Sequence, residues 1–331
     1  MKTPIDVVIT WVDPSDEEWQ KERAKYRNLK EEANGEVRYR DWGFLKYWFR
    51  GLEKNAPWVN RVFFVTCGHY PDWLNTENGK LQIVRHKDYI PEEYLPTFNS
   101  NVIELFFHKI PGLSEQFVYF NDDMFLLGPM EETEFFADGK PADTLAWNAV
   151  SAKAENSMIE HIVLNDMEIL EKHFDKKTVQ KQQRAKLLSP KNGAGMVKTT
   201  MLWSWKHFTG IENPHVAQPY LKSVLETVWE KEGPALRETA QNRFRTAGDL
   251  SLWLARYWNL VSGNYVLKSR KGDLYYVISD DNRSLTENVL AGKVKTACLN
   301  DSDGVKDFEK AKKELTDMFE KLYPEKSGFE K

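Results

Sequence analysis

Hydrophobic residues in the first 125 positions fall into short apolar runs that alternate with segments of helical character. The apolar runs are rich in β-branched and aromatic residues, which is typical of strands. The predicted strands are 5–12, 61–67, 81–85 and 117–120. The predicted helices are 17–30, 41–54 and 99–110. Strands that alternate with helices form βαβ units, so the pattern predicts an α/β fold with a central, mostly parallel sheet.

The pattern changes after about position 150, where long helical segments dominate before three further apolar runs. The predicted helices are 157–173, 178–188, 218–230, 249–261 and 307–323, and the predicted strands are 265–268, 274–278 and 294–299. The last helix is amphipathic and is expected to dock on the core. We therefore divide the chain into an α/β half (1–150), a helical insertion or lid (151–262) and a returning segment (263–331) that completes the same domain.

Composition limits the classes of protein to consider. The 331 residues are 41% hydrophobic and 29% charged, which suits a globular chain with a sizeable core. The 46 basic and 50 acidic residues give a net charge of −4, so no overall positive field favours a nucleic-acid partner. The aromatic residues, 12 Trp, 13 Tyr and 18 Phe, suit either an ordinary core or a pocket that stacks flat rings or sugars.

The sequence shows no targeting signal and no membrane span, because the first apolar run has only about eight residues. The two cysteines, Cys67 and Cys298, have no zinc or disulfide spacing and favour a reducing compartment. We therefore expect a cytoplasmic protein. Basic residues in the polar helix could give peripheral membrane contact, although an ordinary solvated face is the preferred interpretation; they are Lys176, Lys177, Lys181, Arg184 and Lys186.

Two adjacent acids follow a predicted buried strand. Run 117–120 leads directly into Asn121, Asp122 and Asp123, and ligands of open α/β sheets bind outside the carboxyl ends of the strands. Two carboxylates there suggest a hard cation, Mg²⁺ or Mn²⁺, and a cation suggests phosphates. Neighbouring side chains on extended backbone point opposite ways, so one acid is expected to bind metal and the other to brace the loop. The sequence does not decide which, and a plain turn or helix cap is the structural alternative.

Other strand ends carry similar groups. Asn300 and Asp301 end the strand predicted at 294–299, and Asp301 could hold one Mg²⁺ together with Asp122 if the two strands share a sheet. Asp13 ends the first strand and could meet a nucleotide base or ribose. An ordinary Asp-Pro turn is the preferred interpretation of Asp13 by itself.

Two further groups have catalytic chemistry. His215 follows Asn213-Pro214 in a predicted loop, from which imidazole can act as a general base. Arg243, Arg245 and Asp249 cluster before a helix and suggest an arginine fork that grips phosphate. Arginines on a solvated surface are the alternative.

These motifs together resemble the Stealth family of sugar-phosphate transferases, which includes bacterial capsular polysaccharide phosphotransferases and the animal N-acetylglucosamine-1-phosphotransferase. The first block resembles 5–13. The second resembles Arg40-Asp41-Trp42 with the residues up to Val59, then 95–100, then 120–123. The third resembles Pro214-His215 with Arg245 and Asp249, and the fourth 298–301. Four ordered blocks make chance similarity an inadequate explanation.

The resemblance implies a Rossmann-like, nucleotide-sugar transferase-like fold in which 1–150 binds the nucleotide sugar. It implies transfer of hexose-1-phosphate or N-acetylhexosamine-1-phosphate from a UDP-sugar to a glycan hydroxyl, with release of UMP. The acceptor is expected to be a lipid-linked glycan at the cytoplasmic face, in capsule or cell-surface polysaccharide synthesis. The expected catalytic residues are His215, Arg245 and Asp249, the expected metal ligands are Asp122, Asn300 and Asp301, and the expected substrate-binding residues are Asp13, Arg40, Asn99, Ser100, Asn121 and Asp123.

Two other functions are compatible with the sequence. A metal-dependent glycosyltransferase also chelates diphosphate with acidic residues at strand ends, but it forms a glycosidic bond and releases UDP. A non-catalytic carbohydrate-binding module would use the aromatic residues as stacking platforms. The reaction products distinguish the first alternative, and any turnover excludes the second.

Overall fold

The computed structural model describes residues 3–26, 40–154 and 157–331. The strands in these ranges are β1 (Ile5–Thr10), β2 (Val62–Thr66), β3 (Leu81–Arg85), β4 (Gln116–Phe120), β5 (Met124–Leu126), β6 (Phe136–Ala137), β7 (Lys140–Asp143), β8 (Gln218–Leu221), β9 (Val266–Leu267), β10 (Asp273–Val277) and β11 (Thr296–Asn300). The α-helices are α1 (Glu17–Tyr26), α2 (Leu45–Asn55), α3 (Ser100–Leu105), α4 (Met158–His173), α5 (Lys176–Gln182), α6 (Arg184–Leu187), α7 (Ala194–Met201), α8 (Lys222–Ala240), α9 (Trp253–Val261), α10 (Arg283–Leu290) and α11 (Phe308–Leu322).

A five-stranded sheet with the order β3-β2-β1-β4-β8 forms the centre of the protein. The first four strands are parallel, and only β8 runs antiparallel to its neighbour β4. The predicted α/β class with a mostly parallel central sheet is therefore confirmed. The inner strands β1, β2 and β4 are almost wholly buried because helices cover both faces of the sheet, whereas the outer strand β3 exposes Gln82 and Arg85.

Each face of the central sheet packs against its own hydrophobic core. Val7 and Ile9 of β1 point into the core that α2 and α11 cover, and Val8 points into the core that α3, α8 and α9 cover. This alternation follows from the two-residue period of a strand. The C-terminal helix α11 docks as expected, with Ala311, Leu315, Met318 and Phe319 buried.

A second sheet, β10-β11-β5, begins where the central sheet ends. β5 follows β4 after only three residues and pairs antiparallel with β11, with Cys298 opposite Met124. The condition that the strands before Asp122 and Asp301 share one sheet is therefore not met. The β5–β11 pairing nevertheless brings the two strand ends together, since the Leu299 amide donates to the Asp123 carbonyl over 2.8 Å.

Several predicted elements differ from the structure. The helix predicted at 218–230 begins as strand β8, because this segment completes the edge of the central sheet before α8 starts. The helix predicted at 178–188 is broken into α5 and α6. The helix predicted at 99–110 ends at Leu105 and continues as a 3₁₀ turn. Helix 17–30 is α1 up to Tyr26, and its remainder lies outside the described residues.

The basic segment of α5 and α6 is not simply a solvated face. Lys176 is buried, and its Nζ donates to the carbonyl oxygens of Leu202 (3.1 Å) and Trp205 (3.2 Å). Lys186 donates to the carbonyls of Gly263 and Tyr265. These two lysines close helix and loop ends inside the fold. Within the described ranges, none of the helices is both long enough and apolar enough to cross a membrane.

A buried ion-pair network joins the middle segment to the β6-β7-β9 sheet. Arg256 of α9 binds both oxygens of Asp143 at 2.7 and 2.9 Å, and Arg270 binds Asp143 at 2.5 Å. The two arginines hold the pKa of Asp143 well below its usual value, against the opposing effect of burial. The guanidinium of Arg256 is almost completely buried, so it depends on this carboxylate for its charge partner.

Replacing Asp143 should therefore destabilise the fold strongly. We expect Asp143→Ala to lower the free energy of unfolding by about 3–5 kcal/mol, because it leaves the Arg256 charge buried and unpaired. Asp317→Ala is the matched control, since Asp317 pairs with Lys313 on the exposed face of α11 and should cost less than about 0.5 kcal/mol. Urea unfolding followed by circular dichroism measures both, and equal losses would contradict the importance of the buried pair.

Candidate active site

The carboxyl ends of β1 and β4 and the amino end of β8 meet at one edge of the central sheet. Because β8 is antiparallel to β4, with Gln218 opposite Tyr119, the residues just before β8 lie beside the residues just after β4. His215 is therefore brought next to the turn at 121–123, although almost a hundred positions separate them in the sequence. This convergence depends on the strand that the sequence pattern had assigned to a helix.

The two adjacent acids of the 121–123 turn point to different surroundings. Asp122 is exposed to solvent, whereas Asp123 is half-buried. Asp123 turns inward to Cys298 of β11, whose Sγ lies 3.2 Å from Oδ2 of Asp123. The sequence left open which acid faces a ligand, and the geometry leaves Asp122 as the accessible one.

Negative charge accumulates around Asp122. Its side chain is exposed at the surface next to Asp123. The loss of hydration there, then the neighbouring charge of Asp123 and a smaller effect of Asp41, raise the pKa of Asp122 to about 7. A carboxylate in this position favours a bound cation, so its surroundings fit a divalent metal ion.

The residues opposite Asp122 come from the end of β11. Continuing the β5–β11 register beyond Met124 and Cys298 places Asn300 opposite Asp122. The Asn300 side-chain amide donates to the Asp301 carbonyl (2.9 Å), which leaves its Oδ1 as the atom that could accept or bind a cation. Asp122 and Asn300 thus form the part of the predicted metal site that fits best.

Asp301 is already engaged. Arg40 grips it bidentately, with Nε to Oδ2 at 2.8 Å and Nη2 to Oδ1 at 2.7 Å, and the Ser302 amide donates to Oδ1. A metal ion at Asp301 would compete with this guanidinium. The predicted substrate residue Arg40 and the predicted metal ligand Asp301 therefore form one charged unit at the rim.

His215 lies in an aromatic corner beside Asp123. Its ring is edge-on to Trp253 of α9 (centroids 6.4 Å apart) and to Tyr275 of β10 (6.0 Å). One ligand atom each of His215, Asp123 and Cys298 lie within 4.8 Å of one another. The His215 charge also lowers the pKa of Asp123, which burial raises. The imidazole is thus held between two rings and next to a carboxylate.

Arg245 belongs to a second polar cluster, which reaches the same edge of the sheet from the α3 side. Its Nη2 donates to the hydroxyl of Ser100, and Ser100 in turn bonds Glu104. Tyr119 of β4 donates to Glu104 (3.0 Å) and contacts the hydroxyl of Thr10 (3.1 Å), so the cluster reaches the last residue of β1. Burial raises the pKa of Glu104 to about 7, against the opposing effect of Arg245.

Asp249 and Asn99 lie beneath this cluster and are fully buried. The Asp249 carboxylate accepts from the side-chain amides of Asn99 (2.7 Å), Asn101 (3.1 Å) and Asn242 (2.8 Å) and from both the amide and the hydroxyl of Thr246. Asn99 also caps α3 by accepting from the Asn101 amide. These contacts make Asp249 and Asn99 the frame of the loop that carries Arg245, away from any ligand surface.

Asp13 and Asn121 lie in the loops after β1 and β4. The Asp13 amide donates to Nε2 of His69 (2.7 Å), and its Oδ1 accepts from the amide and hydroxyl of Ser15 in a local turn. This turn is the structural alternative that the Asp-Pro sequence suggested. The carbonyl of Asn121 accepts from the Met124 amide and closes the β4–β5 turn.

Sequence reasoning missed several residues of the site, namely Glu104, Tyr119, Tyr275 and Cys298. Glu104 and Tyr119 look like an ordinary helix acid and an ordinary strand aromatic. Tyr275 lies in an unremarkable apolar run. Cys298 had a usable signal, because it stands two residues before Asn300-Asp301 within the fourth motif block.

Comparisons with known proteins agree on one family. Models of the Stealth protein's conserved regions match residues 3–31 (region 1), 38–143 (region 2) and 214–262 (region 3). The chain is similar to the capsular polysaccharide phosphotransferase WcwK of Streptococcus pneumoniae, with 41% identity over 99% of this chain and 98% of that protein. It is also similar to the receptor polysaccharide phosphotransferase WefC of Streptococcus gordonii, with 38% identity over all of both chains.

The chain also resembles solved glycosyltransferase structures. The galactosyltransferase LgtC, in complex with donor and acceptor sugar analogues, aligns over 96% of each chain with a TM-score of 0.40 and 9% identity. A likeness of that strength supports no conclusion about function.

Loss of the Asp249 carboxylate should act through folding of the loop. We expect Asp249→Ala to lower the free energy of unfolding by about 3 kcal/mol, because several buried donors lose their acceptor and each costs roughly 1–3 kcal/mol. Thermal and urea unfolding measure the loss, with Asp72→Ala at an exposed aspartate as the control. A variant of unchanged stability that loses only kcat would restore Asp249 to the reaction itself.

Proposed function

Since the chain belongs to the Stealth protein family, whose resemblance the sequence motifs had predicted, we propose that it transfers hexose-1-phosphate or N-acetylhexosamine-1-phosphate from a UDP-sugar to a glycan hydroxyl. The products are a phosphodiester-linked sugar and UMP. Its relatives WcwK and WefC are named as polysaccharide phosphotransferases and match it over almost their whole length. The exopolysaccharide phosphotransferase cps2G of Lactiplantibacillus plantarum is similar as well, at 38% identity over 99% of this chain. Phosphotransfer in surface polysaccharide synthesis is the common element.

One observation carries the proposal. The accessible carboxylate of Asp122, whose pKa is raised by loss of hydration and by Asp123, and the imidazole of His215 lie at the same edge of the central sheet. The two residues are distant in the sequence. Ligands of open α/β sheets bind at this edge. A carboxylate that can hold a divalent cation and an imidazole that can accept a proton suit phosphoryl transfer to an alcohol.

The proposed reaction is an in-line displacement at the sugar-bearing phosphorus. The acceptor oxygen forms a new bond to that phosphorus, and the bond from phosphorus to the bridging diphosphate oxygen breaks. UMP leaves with the bridging oxygen, and the acceptor proton passes to His215. The anomeric C–O bond is untouched, so catalysis rests on positioning and on stabilising charge.

Asp122 and the side-chain oxygen of Asn300 would hold Mg²⁺ or Mn²⁺, which when bound neutralises diphosphate charge. Asp301 would support this site indirectly, through its bidentate pair with Arg40. Releasing Asp301 would let Arg40 bind donor phosphate, and the pair itself fixes the rim of the site. Asn121 and Asp13 would line the donor side from the loops after β4 and β1.

Arg245 would clamp phosphate oxygens with Ser100 as its neighbour. Asp249 and Asn99 would act as positioning residues for this arginine, because their polar atoms are used inside the protein. We take the acceptor to be a lipid-linked glycan presented at the cytoplasmic face of the membrane. Exposed residues of the basic segment, such as Lys177 and Lys181, remain available for peripheral contact there.

The products decide between this reaction and glycosyl transfer. Incubation of the protein with a panel of UDP-sugars, Mg²⁺ and candidate glycan acceptors should yield UMP and a phosphodiester-linked sugar, as read by anion-exchange chromatography and ³¹P NMR. A glycosidic product together with UDP would reject the proposal in favour of a glycosyltransferase. Glycan binding without any turnover would favour a carbohydrate-binding module.

Removing the Asp122 carboxylate should remove metal-dependent donor binding. We expect Asp122→Asn to weaken binding of a UDP-sugar in Mg²⁺ by at least about 10-fold, since even outer partners of metal ligands contribute roughly 10- to 100-fold. Calorimetric titration with and without Mg²⁺ measures the effect, and Asp138→Asn at an exposed turn is the control. Donor binding that keeps its full response to Mg²⁺ would exclude Asp122 from the metal site.

A further inference from the structure

We propose that Cys298, Asp123 and His215 form a relay in which the Cys298 thiol holds the Asp123 carboxylate and Asp123 orients and stabilises the His215 imidazolium. The inference rests on the proposed function in one respect, the role of His215 as the base. It assigns Asp123 and Cys298 as positioning residues, although the family resemblance had suggested substrate binding for Asp123. The two adjacent acids then have separate tasks, Asp122 toward the ligand and Asp123 toward the base.

Cys298 is hydrogen-bonded to the carboxylate of Asp123. Sγ and Oδ2 lie 3.2 Å apart, a distance that requires a proton between two atoms that otherwise only accept. Cys298 is completely buried. The sulfur is therefore a thiol, and it donates to the carboxylate.

The other carboxylate oxygen of Asp123 is open to a second partner. Oδ1 of Asp123 is buried, and within the portion of the chain that the structure covers it has no hydrogen-bond partner. Leaving a buried carboxylate oxygen unpaired is costly. One ligand atom each of His215, Asp123 and Cys298 lie within 4.8 Å of one another, which makes the imidazole the candidate partner for Oδ1.

Two aromatic side chains lie next to the imidazole of His215. Trp253 and Tyr275 stand edge-on to the ring, with centroids 6.4 and 6.0 Å away, on the side of the site that also holds Asp123. When His215 takes the acceptor proton, the resulting imidazolium would gain a charge-assisted bond to Asp123.

A transition metal held by the same three side chains is the competing interpretation. Such a site needs a thiolate at Cys298. The buried thiol, which already donates to Asp123, argues against it. Metal content is therefore one readout of the test.

A double-mutant cycle tests the relay. We expect His215→Ala to lower kcat by about 10²–10⁴, the usual range for loss of a general base, and Asp123→Asn to lower kcat by about 10²-fold or more, with the donor KM nearly unchanged in both. Asp123→Asn combined with His215→Ala should be no slower than His215→Ala alone, because residues that act as a unit are not additive. His161→Ala, at an exposed histidine of α4, is the control for histidine loss.

The cysteine offers its own matched pair. Cys298→Ala removes the donor to Asp123 and should lower kcat about 10-fold, the effect of one hydrogen bond to a charged group. Cys298→Ser keeps a donor at the same place and should recover most of that loss, while unfolding midpoints monitor the fold of both variants.

Three results would overturn the relay. The first is a loss of kcat in the double variant that equals the product of the two single losses. The second is loss of Mg²⁺-dependent donor binding in Asp123→Asn, as expected for Asp122→Asn, and the third is stoichiometric zinc in the wild type that Cys298→Ala removes. Failure of the proposed function looks different. Full activity of His215→Ala would remove the base itself, and UDP as the product would change the reaction while leaving the Asp123–His215 coupling measurable.

Discussion

The three-residue turn between β4 and β5 is the constraint on which the arrangement of this site depends. It links the central sheet to the second sheet with no spare residue, and the Met124 amide closes it by donating to the Asn121 carbonyl over 3.1 Å. In this turn Asp122 faces solvent, and Asp123 faces Cys298 and His215. One short connection thus separates a ligand-facing acid from an inward-facing acid, and it sets the spacing between the metal side and the base side of the proposed reaction.

Buried polar networks hold the loops around that turn. Asp249 gathers three asparagine amides and Thr246, which fixes the segment carrying Arg245 against the start of α3. Asp143 does the same for α9 through Arg256, and α9 supplies Trp253 to the His215 corner. Site geometry in such proteins is maintained by residues whose own hydrogen bonds are complete. The polar and charged residues of the motifs therefore fall into two groups, those whose side chains lie at the site and those whose side chains hold its loops in place.

Charge is distributed unevenly across the site. Asp122, Asp123 and Asp41 accumulate beside the β4 turn, whereas Arg40 and Arg245 stand at the sides, each already bound to a protein oxygen. An acidic centre with arginines at its margins suits a divalent cation that carries a nucleotide diphosphate, with the arginines within reach of the outer phosphate oxygens. The Arg40–Asp301 pair is the contact that a bound donor would have to rearrange.

The sequence by itself determined the local elements and the chemistry at their ends. Strand β3 has the predicted bounds, and the parallel core and the docking of α11 follow from periodicity, because apolar spacing directly reports which face of an element is buried. The family was identified from the resemblance of four ordered motif blocks. Only the tertiary structure decided that 218–221 is an edge strand, that Lys176 is internal and that Asp249 is buried among hydrogen-bond donors. It also decided that the side chain of Asp122 is exposed while that of Asp123 contacts Cys298. These outcomes depend on partners that are distant in the sequence, from 26 positions away for Lys176 to 175 for Asp123. Short-range patterns carry no information about which distant backbone or side chain will complete a hydrogen bond.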